Sequence, residues 1–216
     1  MLSFVEEIVL LQLDDAHGRL AELPQSAGDV VIAGAALMDL ALLNRIDTDL
    51  QRLIVVDRRP TGDDMLDEVL AQLASEGSEL TTAAAIEQVT FSARSFQDRA
   101  LKRLIEKGIL REENGRFLWV FHTRRYPVID DREPREVKTR LRQLVLSDEI
   151  PDPRDIVLLC LIDACGLLGL VLTAEEIEAT QARVEQLSRL DLIGQAVTKA
   201  VSEIRFLVTH AIAPLY

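Results

Sequence analysis

Residues 156–172 read IVLLCLIDACGLLGLVL and carry a single charge, that of Asp163. A membrane-spanning helix needs about 20 apolar residues, and a charge near its centre costs about 2.5 to 3.5 kcal/mol. The stretch also follows Asp152 and Pro153, a helix-capping residue and one that fits the first helical position. The sequence therefore predicts a globular helix over Ile156–Leu172 that is apolar on nearly every side and buried at the centre of a bundle.

A second almost wholly apolar helix is predicted over Val30–Leu43, just after Asp29. Because neither segment has a polar face that could meet water, we expect the two helices to be buried neighbours. Capping residues and helical spacing predict the other helices, which start at or just after Ser3, Leu66, Thr82, Ser92 or Ser95, Glu136, Thr173 and Leu192. A short strand is predicted over Leu50–Val56.

A β-hairpin is predicted after Gly108, which ends the preceding helix as a C-cap. Residues 109–121 read ILREENGRFLWVF, in which Asn114-Gly115 is the type I′ turn signal between two strand-like arms. The expected fold is therefore mainly α. We expect a helical bundle around a hydrophobic central helix with a projecting β-hairpin, built as a single domain of residues 1–216.

Composition and charge exclude several classes of protein. The chain has 216 residues, 48% of them hydrophobic and only 4% aromatic, so Leu, Ile, Val and Ala must build its core. The net charge of −12 argues against a general nucleic-acid binder. Residues 94–142 nevertheless hold fourteen Lys or Arg against eight Asp or Glu. Such a basic zone on an acidic body can collect phosphate-bearing ligands.

The sequence offers little support for an enzyme or a metal site. The three histidines are scattered, and no glycine-rich loop that could cradle a phosphate is present. Cys160 and Cys165 are five residues apart, about 140° around a helix, and are interpreted as small buried hydrophobes. The acidic run of residues 57–68 is interpreted as helix capping by Asp63 or Asp64 rather than as a metal site. No catalytic residue, metal or cofactor is predicted.

The first residues do not resemble a secretory signal. They contain no basic segment, and Glu6 and Glu7 stand where a signal peptide would be apolar. Together with two cysteines in an apolar environment, this favours a reducing compartment, and the expected location is the cytoplasm.

Four stretches resemble the Golgi phosphoprotein 3 family in order and spacing along nearly the whole chain. They are Phe4–Leu11 (FVEEIVLL), Pro60–Leu70 (PTGDDMLDEVL), Leu104–Leu110 (LIEKGIL) and Pro151–Asp155 (PDPRD). The PTGD segment followed by a Leu-Asp-Glu helix is the most specific of them. The resemblance implies a mainly helical bundle and a cytosolic peripheral membrane protein that recognises phosphatidylinositol 4-phosphate.

The resemblance also implies a headgroup site on the helix before Gly108. Arg94 and Arg99 fall on arginines of the family, whereas Gln97 stands where another pocket arginine is expected. A further arginine and a tryptophan of the family are replaced, by Ala33 and by Leu23 or Pro24. Because each lost arginine removes a bidentate phosphate contact, we expect weak, salt-sensitive binding to an anionic membrane lipid headgroup.

In the family the hairpin corresponds to a loop implicated in membrane contact and self-association. The residues here that would serve such a role, in a membrane or a homo-oligomer, are Trp119, Phe121, Arg124, Arg125 and Tyr126. Aromatic rings beside arginines suit an interface that is apolar below and anionic above. The alternative is that Trp119 and Phe121 are inward-facing strand residues that pack on the bundle.

Two other functions stay open from the sequence. A helix, a glycine and a hairpin also outline a winged-helix module, in which Arg99, Lys102 and Arg103 would face nucleic acid. The net charge of −12 and the central apolar helix weigh against it. The second alternative is a protein-interaction bundle without lipid binding, which the replaced pocket residues favour.

Overall fold

The computed structural model of the protein describes residues 1–14, 18–21, 23, 25–48, 52–75, 79–117, 121–147 and 151–189. Within them the chain forms eight α-helices: α1 (Phe4–Gln12), α2 (Gln25–Leu42), α3 (Asp64–Ser75), α4 (Thr82–Thr90), α5 (Ala93–Glu106), α6 (Arg132–Leu146), α7 (Pro153–Ala164) and α8 (Ala174–Ser188). The five strands there are β1 (Ile46–Thr48), β2 (Arg52–Val55), β3 (Glu79–Thr81), β4 (Glu113–Phe117) and β5 (Phe121–Arg125). The predicted mainly α fold with a small hairpin is confirmed. The helix predicted from Leu192 lies outside the described residues.

The two apolar helices α2 and α7 pack against each other, as predicted. Ala33, Ala35 and Ala36 of α2 are fully buried, and their small side chains let a neighbouring helix approach closely. Leu158 and Leu161 of α7 are equally inaccessible. The helix predicted over Val30–Leu43 is longer at its start, since α2 begins at Gln25 and ends at Leu42.

The helix predicted over Ile156–Leu172 is too long at its end. α7 starts as predicted, with the Asp152 carboxylate accepting a hydrogen bond from the Arg154 backbone N at 2.8 Å. It stops at Ala164, and Gly166 follows with a φ of 71°, a left-handed conformation that favours glycine. The rest of the apolar run forms a 3₁₀ turn at Leu168–Leu170 and stays largely buried. The hydrophobicity of residues 156–172 correctly predicted that they are largely buried, but Gly166 ends the helix earlier than predicted.

All nine residues of α1 are buried, including three polar ones. The predicted capping box forms, with the Ser3 backbone N donating to Glu6 Oε2 at 2.8 Å and the Glu6 N to Ser3 Oγ at 3.2 Å. α2, α5 and α6 surround the helix. The buried Glu6, Glu7 and Gln12 must therefore find polar partners on those neighbours.

A three-stranded antiparallel sheet in the order β1-β2-β3 packs beside α2 and α4. The strand predicted over Leu50–Val56 corresponds to β2, which the structure shows over Arg52–Val55. β1 and β3 were not predicted, because three residues are too few to show an alternating pattern.

The predicted hairpin is confirmed, but the prediction of a turn at Asn114-Gly115 is wrong. Both residues lie within β4, where Asn114 pairs with Arg124 and Gly115 with Thr123. The pairing starts at an isolated bridge between Leu110 and Val128 and stays in step with it. Because Leu110 is buried, this bridge fixes the register from the base of the hairpin.

The base of the hairpin is also anchored on the segment that follows α1. The Tyr126 backbone N donates a hydrogen bond to the Gly18 carbonyl at 2.7 Å. Gly18 has a φ of 61°, and a Cβ built on it would lie 2.5 Å from the Pro127 backbone N. Only glycine fits this contact, which holds the root of the hairpin against the end of α1.

Candidate functional site

The predicted headgroup residues lie on α5, whose inner face holds the helix in place. Phe96, Ala100, Leu101 and Leu104 are buried, whereas Ser95, Asp98 and Lys102 are exposed. Arg94 at the start of α5 is exposed. In the part of the chain that the structure describes, its guanidinium has no hydrogen bond or ion pair. Arg94 is therefore available to an anionic ligand.

Arg99 points elsewhere and is already paired. Its guanidinium donates to Glu68 Oε2 and to Asp64 Oδ2, at 2.6 Å each. The neighbouring Arg103 donates to Asp63 at 2.7 Å and also contacts Asp64. The hydrogen bond from Arg99 holds the pKa of the Asp64 carboxyl below its usual value. The structure therefore places Arg99 in a clamp between α5 and α3 rather than in an open headgroup pocket.

The acidic motif before α3 has a structural role. Asp63 caps the helix as predicted, accepting hydrogen bonds from the Met65 N at 2.9 Å and the Leu66 N at 3.2 Å. Thr61 donates to Asp67 from its backbone N at 2.6 Å and from its hydroxyl at 2.7 Å. These bonds close the turn that presents Asp63 to α5. In the described part of the chain, no group of three or more His, Cys, Asp or Glu is placed to hold a metal ion.

Gln97 faces inward rather than toward a ligand. Its Nε2 donates to Gln12 Oε1 at 2.9 Å, across the end of α1. Gln12 is only 2% exposed, and its own Nε2 has no hydrogen-bond partner. Ala33, at the other replaced arginine position, is fully buried. Leu23 lies next to α2, close to Gly28, and Pro24 is outside the described residues.

The hairpin residues are only partly described. Trp119 and the side chain of Phe121 lie outside the described residues. Arg124 is exposed, and the hydrogen bond with Tyr126 raises the pKa of its guanidinium, to which the carboxylates of Glu112 and Asp98 add. Asp98 lies on the exposed side of α5, four residues after Arg94.

Two residues of the predicted hairpin set are not free at the surface. Tyr126 is only 7% exposed and belongs to the core, so the prediction that groups it with a membrane-facing surface is wrong. Arg125 is half-buried, and its Nε has no hydrogen-bond partner. Among the described side chains of the hairpin and its base, the exposed basic ones are Arg111, which pairs with Glu113, and Arg124.

A buried ion-pair network, which the sequence reasoning missed, joins four helices. Glu7 of α1 accepts from Arg140 of α6 at 2.8 Å and from Arg154 of α7 at 3.3 Å. Asp39 of α2 accepts from the Phe4 backbone N at 2.9 Å. Burial raises the pKa of Asp39 to about 7. The network fixes the start of α1, and nothing local in the sequence reveals it because its partners are far apart in the chain.

Arg154 is the hub of that network. It also donates to the Leu2 carbonyl at 2.8 Å, and its guanidinium lies 3.9 Å from the centre of the Phe4 ring. Its side chain is 15% exposed, against 3% for Glu7 and 9% for Asp39. The residue therefore supplies the positive charge that compensates two buried carboxylates.

The chain resembles known proteins over most of its length. No helix in the described ranges is long and apolar enough to cross a membrane. The chain is 29% identical over 171 residues to vacuolar protein sorting-associated protein 74 of Eremothecium gossypii, and the match covers 69% of this chain and 50% of that relative. The chain thus spans about half the length of the relative it matches. The family model for Golgi phosphoprotein 3 (GPP34) matches residues 4–204, and the chain belongs to this family.

Proposed function

We propose that the protein is a cytoplasmic peripheral membrane protein that binds anionic phospholipid headgroups, phosphatidylinositol 4-phosphate among them, through Arg94. The observation that carries this proposal is the contrast on α5. Arg99 and Arg103 are neutralised by carboxylates of residues 63–68, whereas Arg94 is exposed with no ion pair in the described residues. Membership of the Golgi phosphoprotein 3 family supports the lipid class. The proposed activity is binding, without a catalytic step.

The expected affinity is low. Each cation near an anionic membrane surface contributes about 1 kcal/mol, and this attraction fades within a Debye length. Gln97 and Ala33 provide no guanidinium that could grip a phosphate with two hydrogen bonds. The net charge of −12 adds a long-range repulsion from the same membrane. We therefore expect salt-sensitive binding with a modest preference for phosphatidylinositol 4-phosphate.

Replacing Arg94 with alanine should weaken binding to anionic vesicles about fivefold at low salt, the equivalent of one lost charge contact. The matched control is Arg58→Ala. Arg58 is also exposed with no ion pair in the described residues, but it follows β2 rather than lying on α5. Co-sedimentation with phosphatidylcholine vesicles that contain phosphatidylinositol 4-phosphate measures both variants. Equal losses in the two variants would show that only total charge matters and that Arg94 marks no site.

The hairpin is proposed as a second contact, with the membrane or with another copy of the chain. Replacing Trp119 with serine should then reduce vesicle recovery or self-association while the thermal midpoint stays nearly unchanged. Phe96→Ser is the control for a buried aromatic residue, and it should lower the midpoint strongly because Phe96 is fully buried. If Trp119→Ser lowers only the midpoint, Trp119 is a packing residue and the hairpin has no such role.

One observation favours a second candidate function, a protein-interaction bundle without lipid binding. The Gln97 to Gln12 hydrogen bond ties up the side chain at one expected phosphate-binding position. Failure to bind vesicles of any composition would support this candidate. The winged-helix alternative loses support, because Arg99 and Arg103 are paired with acids and are not presented to a nucleic acid.

A further inference from the structure

The turn between α4 and α5 presents an aromatic ring to solvent. Phe91 is 87% exposed, whereas Phe4, Phe96 and Tyr126, the other aromatic side chains that the structure describes, are buried. An exposed phenyl ring forgoes the free energy that burial would supply. A contact with a partner or a membrane would recover part of that free energy.

The turn that holds Phe91 is well ordered by hydrogen bonds. The Ser92 N donates to the Val89 carbonyl at 3.0 Å, and the Phe96 N donates to the Ser92 carbonyl at 3.0 Å. Gln72 of α3 donates from its Nε2 to the Ser92 hydroxyl at 3.0 Å. Val89 and Ala93 on either side are buried. The backbone that carries the ring is therefore already ordered. Binding through the Phe91 ring should cost little conformational entropy.

Phe91 lies on the same surface as Arg94. Phe91 has a φ of −60° and a ψ of −27°, and Ser92 has −97° and −6°, so the chain keeps a helix-like winding into α5. Residues three apart on such a winding have neighbouring side chains, about 5 to 6 Å apart at Cβ. A membrane whose headgroups reach Arg94 therefore lies within reach of the Phe91 ring.

Two exposed residues of opposite charge flank the ring along the chain. Glu87, one turn before Phe91, is exposed, as is Arg94 one turn after it. The contribution of the uncharged ring should depend little on salt, because salt screens charges and not apolar contacts. That separates its contribution from the salt-sensitive contact made by Arg94.

We propose that Phe91 inserts into the interfacial region of an anionic phospholipid bilayer, as an apolar anchor beside Arg94 that is separate from the hairpin. This inference rests on the proposed function, because it takes the membrane that Arg94 binds as its partner. Phe91→Ser should weaken vesicle binding about tenfold at low and high salt alike. Val56→Ser is the matched control, since Val56 is a 56% exposed apolar side chain.

Val56 is a suitable control because it lies at the other end of the bundle. Its backbone N donates to the carbonyl of Arg45, just past the end of α2. The start of α5 instead lies beside the end of α1, where Gln97 hydrogen-bonds to Gln12. The Ala21 backbone N also donates to the Gln12 carbonyl at 2.7 Å, four residues before α2 begins at Gln25. α2 has 18 residues and spans about 27 Å between these ends.

The direct test places a fluorescent indole at the position. The chain has one tryptophan, so Phe91→Trp in a Trp119→Phe background reports on this turn alone, and Val56→Trp in the same background is the control. We expect the emission of Phe91→Trp to shift to the blue on phosphatidylcholine vesicles that contain phosphatidylinositol 4-phosphate. Lipids brominated on their acyl chains should quench it. Val56→Trp should show neither effect.

The outcomes separate this inference from the proposed function. No shift and no quenching with any vesicle overturn the insertion of Phe91, even where co-sedimentation still shows headgroup-dependent binding. A shift on phosphatidylcholine alone, with recovery that does not depend on anionic lipid, supports insertion and contradicts headgroup recognition. A shift that appears without vesicles and grows with protein concentration assigns the ring to a second copy of the chain and overturns the proposal.

Discussion

Replacing Leu159 with alanine should lower the free energy of unfolding by about 2 to 5 kcal/mol. Leu159 is 1% exposed in the middle of α7, the helix that packs against α2 and α8. Truncation removes the transfer free energy of its side chain and leaves a cavity that a rigid bundle fills only in part. A reversible urea melt measures the change from the shift in midpoint at an unchanged slope.

The matched control for Leu159→Ala is Leu146→Ala at the end of α6. Leu146 is 49% exposed, so its truncation should change the free energy of unfolding by no more than about 0.5 kcal/mol. A loss below about 0.5 kcal/mol for Leu159→Ala as well would contradict the placement of α7 at the centre of the bundle.

Replacing Arg154 with methionine should cost about 3 to 5 kcal/mol of stability at pH 8, because it removes the counter-charge of buried Asp39 and one of the two arginines that pair with buried Glu7. As whole residues, Glu7 and Asp39 are 2% and 7% exposed. The guanidinium nitrogens of Arg154 lie 3.3 Å from a Glu7 carboxylate oxygen and 3.9 Å from an Asp39 carboxylate oxygen. Methionine keeps part of the contact with the Phe4 ring, which limits the loss from packing. Arg59→Met is the control, since the side chain of Arg59 is 82% exposed in its ion pair with Asp57.

The loss caused by Arg154→Met should shrink when the pH falls from 8 to 5. Burial raises the pKa of Asp39 to about 7, well above its value in an unfolded chain, so the folded protein takes up a proton in this range. A raised pKa means that Asp39 favours the folded state below its unfolded pKa, and that this contribution is lost as the pH rises through about 7. Protonated Asp39 carries no charge, so the loss of the Arg154 guanidinium no longer leaves a buried charge uncompensated at Asp39. Burial raises the pKa of Glu7 in the same direction.

The pH dependence distinguishes charge compensation from packing. Urea melts of Arg154→Met at pH 8 and at pH 5 measure it, with Leu159→Ala as a variant whose loss should be the same at both. Asp57, Asp130 and Glu176 have pKa values lowered to about 2 by hydrogen bonds from arginines, so they stay ionised throughout. An equal loss at both pH values would mean that Arg154 acts through packing alone.

The sequence predicted the helices well where burial and capping are local properties. Residues 156–164 and α2 are almost wholly apolar, and the capping signals at Ser3 and Asp152 formed as expected. Hydrophobicity could not predict where α7 ends. Gly166 interrupts the apolar run, but the residues before and after it are both buried. β1 and β3 are too short to show a period.

The site was less predictable, because it depends on contacts between distant residues. Arg94 and Arg99 are alike in sequence, and five positions on a helix separate their directions by about 140°. Only the three-dimensional structure, in which the side chain of Arg99 reaches α3, shows that Arg99 meets Asp64 and Glu68. In the hairpin, Asn114-Gly115 is a strong local turn signal, but both residues lie within β4. The buried bridge at Leu110 sets the strand register instead.

Wild-type binding to vesicles at two salt concentrations tests the central claim most directly. The vesicles contain phosphatidylcholine alone, phosphatidylcholine with phosphatidylserine, or phosphatidylcholine with phosphatidylinositol 4-phosphate at equal total charge. We expect weak binding to both anionic compositions, a modest preference for phosphatidylinositol 4-phosphate, and a large loss at high salt. Tight binding that ignores salt, or no binding to either anionic composition, would contradict a headgroup site built on Arg94.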